Sequence, residues 1–176
     1  CIVILNFILY NIKSKREQMS NFQFVCTTCG GKQAQRIGKY DKCLHCGNKY
    51  RVSVGDDALY MNLQYAMNER QEADFDKAKR RYDSIIADCK DNGGLEEAYW
   101  GKFLCEQYVI FYQNDDDVSI PSFWNVNNEP YSESKSYKKA IECAKANGNT
   151  ENAENYRNLA ERIEIYKAKY RHVQKD

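Results

Sequence analysis

Residues 26–47, CTTCGGKQAQRIGKYDKCLHCG, hold two matched pairs, Cys26-Thr27-Thr28-Cys29 and Cys43-Leu44-His45-Cys46, with thirteen residues between them. A thiolate is a soft anionic ligand, and four of them close a tetrahedron around Zn²⁺ with bonds of about 2.3 Å. Two residues between the members of a pair let the backbone turn so that both sulfurs meet one metal. Gly30 and Gly47 follow the pairs, and glycine accepts the left-handed backbone that ends such a turn. The symmetry argues for a zinc ribbon, with Cys26, Cys29, Cys43 and Cys46 as ligands of one structural Zn²⁺, rather than for free or disulfide-bonded thiols. Four thiolates leave no open coordination position, which catalysis by zinc needs. His45 is read as a spectator, because the flanking cysteines already fill the geometry. About thirty residues bury too little apolar surface to fold alone, so metal binding supplies the missing free energy.

Working outward, residues 22–54 form the expected ribbon. Phe22-Gln23-Phe24-Val25 reads as a strand into the first pair, Gln35 to Lys42 as a middle strand pair, and Lys49 to Val54 as a closing strand by its alternation. Gly55-Asp56-Asp57 is a break and a helix N-cap. Upstream, residues 1–21 begin with an apolar run, Cys1 to Tyr10, shorter than the roughly twenty residues that span a bilayer. It lacks the basic leader of a signal peptide. With Met19 just before the ribbon, the segment reads as an upstream extension. The alternative is the tail of a membrane anchor, with Lys13, Lys15 and Arg16 at its cytoplasmic edge.

The chain has 176 residues and a formal net charge of +1, which excludes a globally basic nucleic-acid binder. Charge is unevenly spread. Residues 22–54 hold six Lys/Arg and one Asp, +5, whereas residues 55–113 hold seven Lys/Arg and twelve Asp/Glu, −5. A basic ribbon is thus tethered to an acidic body. Lys32, Lys42 and Lys49 also suit a simpler role, balancing the −2 of a zinc with four thiolates. Cys89, Cys105 and Cys143 fall on apolar faces of expected helices, where free cysteine acts as a small hydrophobe. Together with thiols kept for zinc, they suit a reducing cytosol.

Beyond residue 57 the hydrophobic period becomes helical. Leu59, Leu63, Ala66 and Met67 line one face of a first helix. Phe75, Ala78, Tyr82, Ile85, Ile86 and Cys89 line a second, ending at Asn92-Gly93-Gly94. Ala98, Tyr99, Phe103, Leu104 and Phe111 fall on a third. Tyr137, Ala140, Ile141 and Ala144 mark a fourth, with Gly148 past its end; Ala153, Tyr156, Leu159, Ala160, Ile163, Tyr166 and Tyr170 mark a fifth. Glu96-Glu97 sit at a helix start and complement its dipole. Residues 114–130 read as a long loop whose aromatics, Phe123 and Trp124, fold back on the helices. Its triplet Asp115-Asp116-Asp117 is a solvated acidic turn, since no EF-hand pattern surrounds it. The expected fold is therefore mainly α with a small β zinc ribbon, residues 57–172 forming an antiparallel array of about five helices.

Ala73-Asp74-Phe75-Asp76-Lys77-Ala78, with Tyr82 and Ile85, resembles the second helix of a tetratricopeptide repeat. Glu97-Ala98-Tyr99-Trp100-Gly101 resembles the start of the next repeat. The first helix keeps only an approximate pattern, and no proline closes the repeat near Asp91. Over residues 24–170 the arrangement resembles a family of uncharacterised proteins of clostridia and related bacteria, in which a zinc ribbon precedes a tetratricopeptide-like helical domain. Some proteins of that family resemble this arrangement with a further Toll/interleukin-receptor-like domain added. The resemblance implies an adaptor or sensor, and the thiols place it in the cytoplasm.

Three functions follow as expectations. As a binding module, the helices hold a peptide or partner helix in a concave groove; the candidate exposed groove residues are Asn62, Tyr65, Tyr99, Lys102 and Gln107. As the alternative, the ribbon binds nucleic acid through Lys32, Arg36, Lys39, Lys42, Lys49 and Arg51, with Tyr40 or Tyr50 stacking on bases. An enzyme is the least supported reading. The two histidines, His45 and His172, lie far apart, and no phosphate-binding loop, His-Glu-x-x-His or paired nucleophile and base stands out. Another protein is thus the expected partner, with neither a small-molecule substrate nor a membrane.

Overall fold

The computed structural model describes residues 24–38, 40–51, 57–89, 94–113 and 119–173. Three short strands form an antiparallel sheet in the order β1 (Ala34–Ile37), β2 (Tyr40–Cys43), β3 (Lys49–Arg51). The register sets Ala34 opposite Cys43 and Tyr40 opposite Arg51. The hairpin expected within Gln35–Lys42 is present, as is the start of the closing strand. Phe24 and Val25 are not in a strand, which corrects that expectation. They precede the first cysteine turn with their backbone given to other partners, such as the Gln64 amide on the Val25 carbonyl at 2.9 Å. Residues 1–23, including the apolar run, lie outside the described residues, as do 52–56 and the triplet at 115–117.

Among the described residues five α-helices follow, α1 (Asp57–Gln71), α2 (Phe75–Asp88), α3 (Leu95–Glu106), α4 (Lys135–Ala146) and α5 (Thr150–Val173). Each apolar period finds a partner. Leu63, Ala66, Phe75, Ala78, Tyr82, Ile85, Ala98 and Cys105 form one buried cluster between α1, α2 and α3. A second joins Trp100, Phe103 and Leu104 to Ala140, Ile141, Tyr156, Leu159 and Ile163. Of the three downstream cysteines, Cys105 is buried, and Cys89 and Cys143 are half-buried. Local chemistry sets the helix ends. Asp74 accepts from the Lys77 amide and Ser134 from the Tyr137 amide at their N-termini. Gly148, at φ +74°, follows α4 where a left-handed residue is needed.

The third helix stops sooner than its hydrophobic run implied. Tyr108 takes φ +54°, the chain reverses, and Phe111 lies in a strand rather than on the helix. β4 (Val109–Gln113) pairs antiparallel with β5 (Ser119–Phe123), so part of the expected loop 114–130 is a hairpin. Its aromatics divide: Phe123 joins the core beside Phe111, while Trp124 is 71% exposed. Gln71 covers the outer edge of β4, donating to the Phe111 carbonyl at 2.9 Å and accepting from the Phe111 amide at 3.0 Å. The buried Arg70 donates to the Val109 carbonyl at 2.9 Å. Because Phe111 turns its amide and carbonyl outward to Gln71, its partner Pro121 sits at a non-hydrogen-bonded pair. The missing proline N–H therefore costs no ladder bond.

Among the described residues no helix is long and apolar enough to cross a membrane.

Candidate metal centre

The two cysteine turns have the same backbone. The Gly30 amide donates to the Cys26 carbonyl at 2.7 Å, and the Gly47 amide to the Cys43 carbonyl at 3.0 Å. Gly30 and Gly47 have φ of +74° and +78°, the left-handed conformation that L side chains resist. Each turn is closed from the other side, Cys26 N–H on the Gly31 carbonyl at 2.8 Å and Cys43 N–H on the Asn48 carbonyl at 2.9 Å. The ligand atoms of Cys26, Cys29, Cys43 and Cys46 all lie within 4.8 Å of one another. Sulfurs at the corners of a tetrahedron with metal bonds of about 2.3 Å stand about 3.8 Å apart. The Cys26–Cys46 and Cys29–Cys43 separations are 3.6 and 3.8 Å. The cluster therefore fits a metal ion such as zinc with all four corners taken by sulfur.

Cys26, Cys29 and Cys43 are buried and Cys46 half-buried. Without metal, burial pushes the Cys26 thiol well above its ordinary value, and hydrogen bonds with the other thiols, led by Cys26, raise Cys46. Hydrogen bonds from Cys26, Cys29 and Cys46 hold Cys43 far below its ordinary value. Binding of a divalent cation by four thiolates releases the protons their thiols carry. Around it, Asn48 Nδ2 donates to Thr28 Oγ1 at 2.8 Å, and Thr28 Oγ1 lies 2.6 Å from Tyr50 Oη. The Thr28 amide also donates to Tyr50 Oη at 3.3 Å, leaving the phenol proton for Cys26 Sγ at 2.8 Å. Burial raises the Tyr50 phenol well above its ordinary value, so it stays a donor. Such outer hydrogen bonds orient a thiolate ligand. His45 is not part of the cluster. Its amide donates to Cys43 Sγ at 3.4 Å, and its ring packs so closely on Gly31 that a Cβ there would come within 2.5 Å of His45 Cδ2.

The ribbon is seated on the helices, not merely linked to them. Gln64 of α1 donates to the Val25 carbonyl. Trp100 Nε1 of α3 donates to the Thr28 carbonyl at 3.1 Å, inside the first cysteine turn. Asn152 of α5 accepts from the Lys49 amide at 2.9 Å and donates to the Lys49 carbonyl at 3.0 Å, as a neighbouring strand would. The buried Glu96 fixes Asn152, accepting its second amide proton at 2.7 Å and further amide protons from Asn147 and Asn149. Glu96 lies in the first turn of α3, as its place in the sequence suggested, and there three asparagine amides satisfy it in the interior.

The candidate binding residues differ in exposure. Asn62 and Tyr65 are exposed on α1, with Arg81 stacked 5.6 Å over the Tyr65 ring. Lys102 pairs with Asp83 of α2 at 2.6 Å. Tyr99 is half-buried against the second core cluster. Gln107, expected at the surface, is fully buried and accepts from the buried Lys167 at 2.6 Å. The correction has a simple cause: a lysine amine enclosed in the core needs acceptors, and Gln107 and Glu164 supply them.

The candidate nucleic-acid residues are mostly engaged. Lys42 and Lys49 both pair with Glu151, at 2.9 and 2.5 Å, rather than turning to the thiolates. Arg36 pairs with Asp41 at 2.5 Å, while Lys32 is exposed. Lys39 and the side chain of Arg51 lie outside the described residues. Tyr50 is buried beneath the thiols and offers no face to a base; Tyr40 is half-buried.

Compared with known proteins, the chain matches no family model, no curated protein and no solved structure.

Proposed function

We propose that the protein is a non-catalytic interaction module in which one structural zinc holds a ribbon rigid against a tetratricopeptide-like helical array. The carrying observation is the four-thiol cluster, whose ligand atoms all lie within 4.8 Å of one another, with two of the sulfur pairs at 3.6 and 3.8 Å. A metal held at all four corners folds a segment and has no position for substrate. The surface supports a protein partner. By the alternation of the hairpin, Tyr112, Ile120 and Trp124 fall on the face opposite Phe111 and Phe123, with Tyr112 51% and Trp124 71% exposed. Exposed aromatics are the side chains that anchor protein interfaces. Nucleic-acid binding ranks second, because Arg36, Lys42 and Lys49 each have an acidic partner and Tyr50 is enclosed.

The test has two arms on zinc-loaded protein. Fluorescence anisotropy with single- and double-stranded oligonucleotides across a salt series should show no binding at physiological salt. Nuclease-treated affinity capture should retain a defined protein, which Trp124→Ala and Tyr112→Ala release. Oligonucleotide affinity lost on replacing Lys32, Arg36 and Arg51 together would favour nucleic acid and overturn this reading.

A further inference from the structure

Among the described residues the two sheets end in strand edges at β1, β3, β4 and β5, and all but one are closed. Asn152 takes the amide and carbonyl of Lys49 on β3. Gln71 and Arg70 take those of Phe111 and the Val109 carbonyl on β4. β5 carries Pro121, which turns no amide proton outward to an added strand. β1 is left open. The Leu44 amide donates to the Gln33 carbonyl at 3.0 Å, so Gln33, Gln35 and Ile37 turn their backbone groups toward β2. By alternation Ala34 and Arg36 turn theirs outward. The Cys43 amide agrees, bonding to Asn48 and not to its neighbour Ala34. All four residues of β1 are exposed, and among the described residues nothing bonds the backbone of Ala34 or Arg36 from outside.

The surroundings of this edge are basic and apolar. Residues 32–42 hold Lys32, Arg36, Lys39 and Lys42 against Asp41, +3. Lys32 is exposed, and the Arg36 side chain stays 60% exposed beside Asp41. Ile37, 43% exposed, and Leu44, 57% exposed, bracket the strand. Two copies joined edge to edge would crowd Lys32 and Arg36 against their own counterparts, which is how a charged edge resists self-pairing. The same charges favour an acidic strand. We propose that the β1 edge docks an extended acidic segment of another protein, added to the ribbon sheet as a fourth strand through the amides and carbonyls of Ala34 and Arg36. Its carboxylates meet Lys32 and Arg36, and its apolar side chains cover Ile37 and Leu44. Tyr112 and Trp124 belong to the other hairpin, so the edge is a second contact surface of the zinc-loaded chain and does not depend on the first.

A fluorescein-labelled heptapeptide alternating Val and Glu serves as the probe, titrated into the zinc-loaded full chain and read by anisotropy. Saturable binding that weakens with added salt is expected. Ala34→Pro removes one outward amide and no ladder bond, as Pro121 does in β5, and should weaken binding at least about tenfold with zinc content and helical circular dichroism unchanged. A second change sits in the probe and leaves the protein alone. N-methylation of alternate residues should abolish binding in one phase and spare it in the other, because only every second amide of a strand faces its neighbour. Absence of saturable binding, equal binding of a heptapeptide alternating Val and Lys, or binding indifferent to the phase of N-methylation would each overturn the proposal. Nucleic acid held by charge alone would ignore Ala34→Pro, so success of the oligonucleotide reading is told apart from failure here. A probe that fails while a partner is still captured through Tyr112 and Trp124 removes the edge and leaves the interaction module standing.

Discussion

Gly101→Ala tests how α2 and α3 meet. In the middle of α3 alanine is intrinsically the better helix former, by about 1 kcal/mol. Read from sequence alone, the substitution stabilises. The structure reverses that sign, because a Cβ at Gly101 would lie 2.2 Å from Tyr82 Cζ, 2.4 Å from Cε1 and 2.5 Å from Oη. Carbon atoms touch at about 3.5–4.0 Å, so the overlap exceeds 1 Å by simple subtraction. Tyr82 is 1% exposed and belongs to the cluster with Ala78, Ile85 and Cys105, which leaves the ring no free path away. Overpacking of this kind costs about 1–3 kcal/mol and at times more; with this overlap the upper end applies, and the net is a loss of about 2 kcal/mol. In urea, with a slope of about 2 kcal/mol per molar, the unfolding midpoint should fall by about 1 M at zinc saturation. Tyr82→Leu combined with Gly101→Ala should show strong positive coupling, because the second change no longer meets a ring. A midpoint raised by Gly101→Ala alone would refute the packing of Tyr82 on the α3 backbone.

Ala78→Leu should cost about 1–3 kcal/mol in the same assay, because Ala78 is fully buried in the cluster that joins α1, α2 and α3; an unchanged midpoint would contradict that contact. The half-buried Glu97 has its Oε2 enclosed without a partner, and burial followed by the charge of Glu96 pushes its carboxyl up to about 8. The folded state therefore keeps a proton that the unfolded state has released, so this contribution is complete below about pH 4 and lost as pH rises toward 8. Glu97→Gln is neutral at every pH, so at saturating zinc the variant should match wild type at low pH and become progressively the more stable of the two over that window; a constant difference would exclude the linkage. Glu69, bonded by Arg81 at 2.6 and 2.9 Å and held below its ordinary value, acts oppositely, its contribution fading as pH falls below about 4.5. Arg81→Met should remove that acid-side slope in the urea midpoint; an unaltered slope would show that the pair is not its source.

The ribbon was legible because metal chemistry fixes residue type, spacing and flanking glycine together. The five helices were legible because each turns a continuous apolar face to a neighbour. What escaped were places where polar groups go inside. Glu96, Gln107, Asn152 and Lys167 look like surface residues in any periodicity, yet all are buried and satisfy one another or the ribbon backbone. Their partners are 56 residues apart for Glu96 and Asn152, and 60 for Gln107 and Lys167, beyond any local pattern. The end of α3 escaped for a different reason. Val109-Ile110-Phe111 continues the apolar run without Gly or Pro, and the reversal falls on Tyr108, a residue that seldom takes positive φ. Pro121 hid β5, since proline argues against a strand unless its partner needs no hydrogen bond.

The account depends most on the metal, and zinc K-edge X-ray absorption on protein purified without added metal tests it directly. One zinc per chain with four sulfur neighbours at about 2.3 Å is the predicted result, and Cys26→Ser should release the metal. A shell of three sulfurs and one nitrogen would place His45 in the site and contradict the closed four-thiol centre. Protein free of zinc yet fully folded would contradict it altogether.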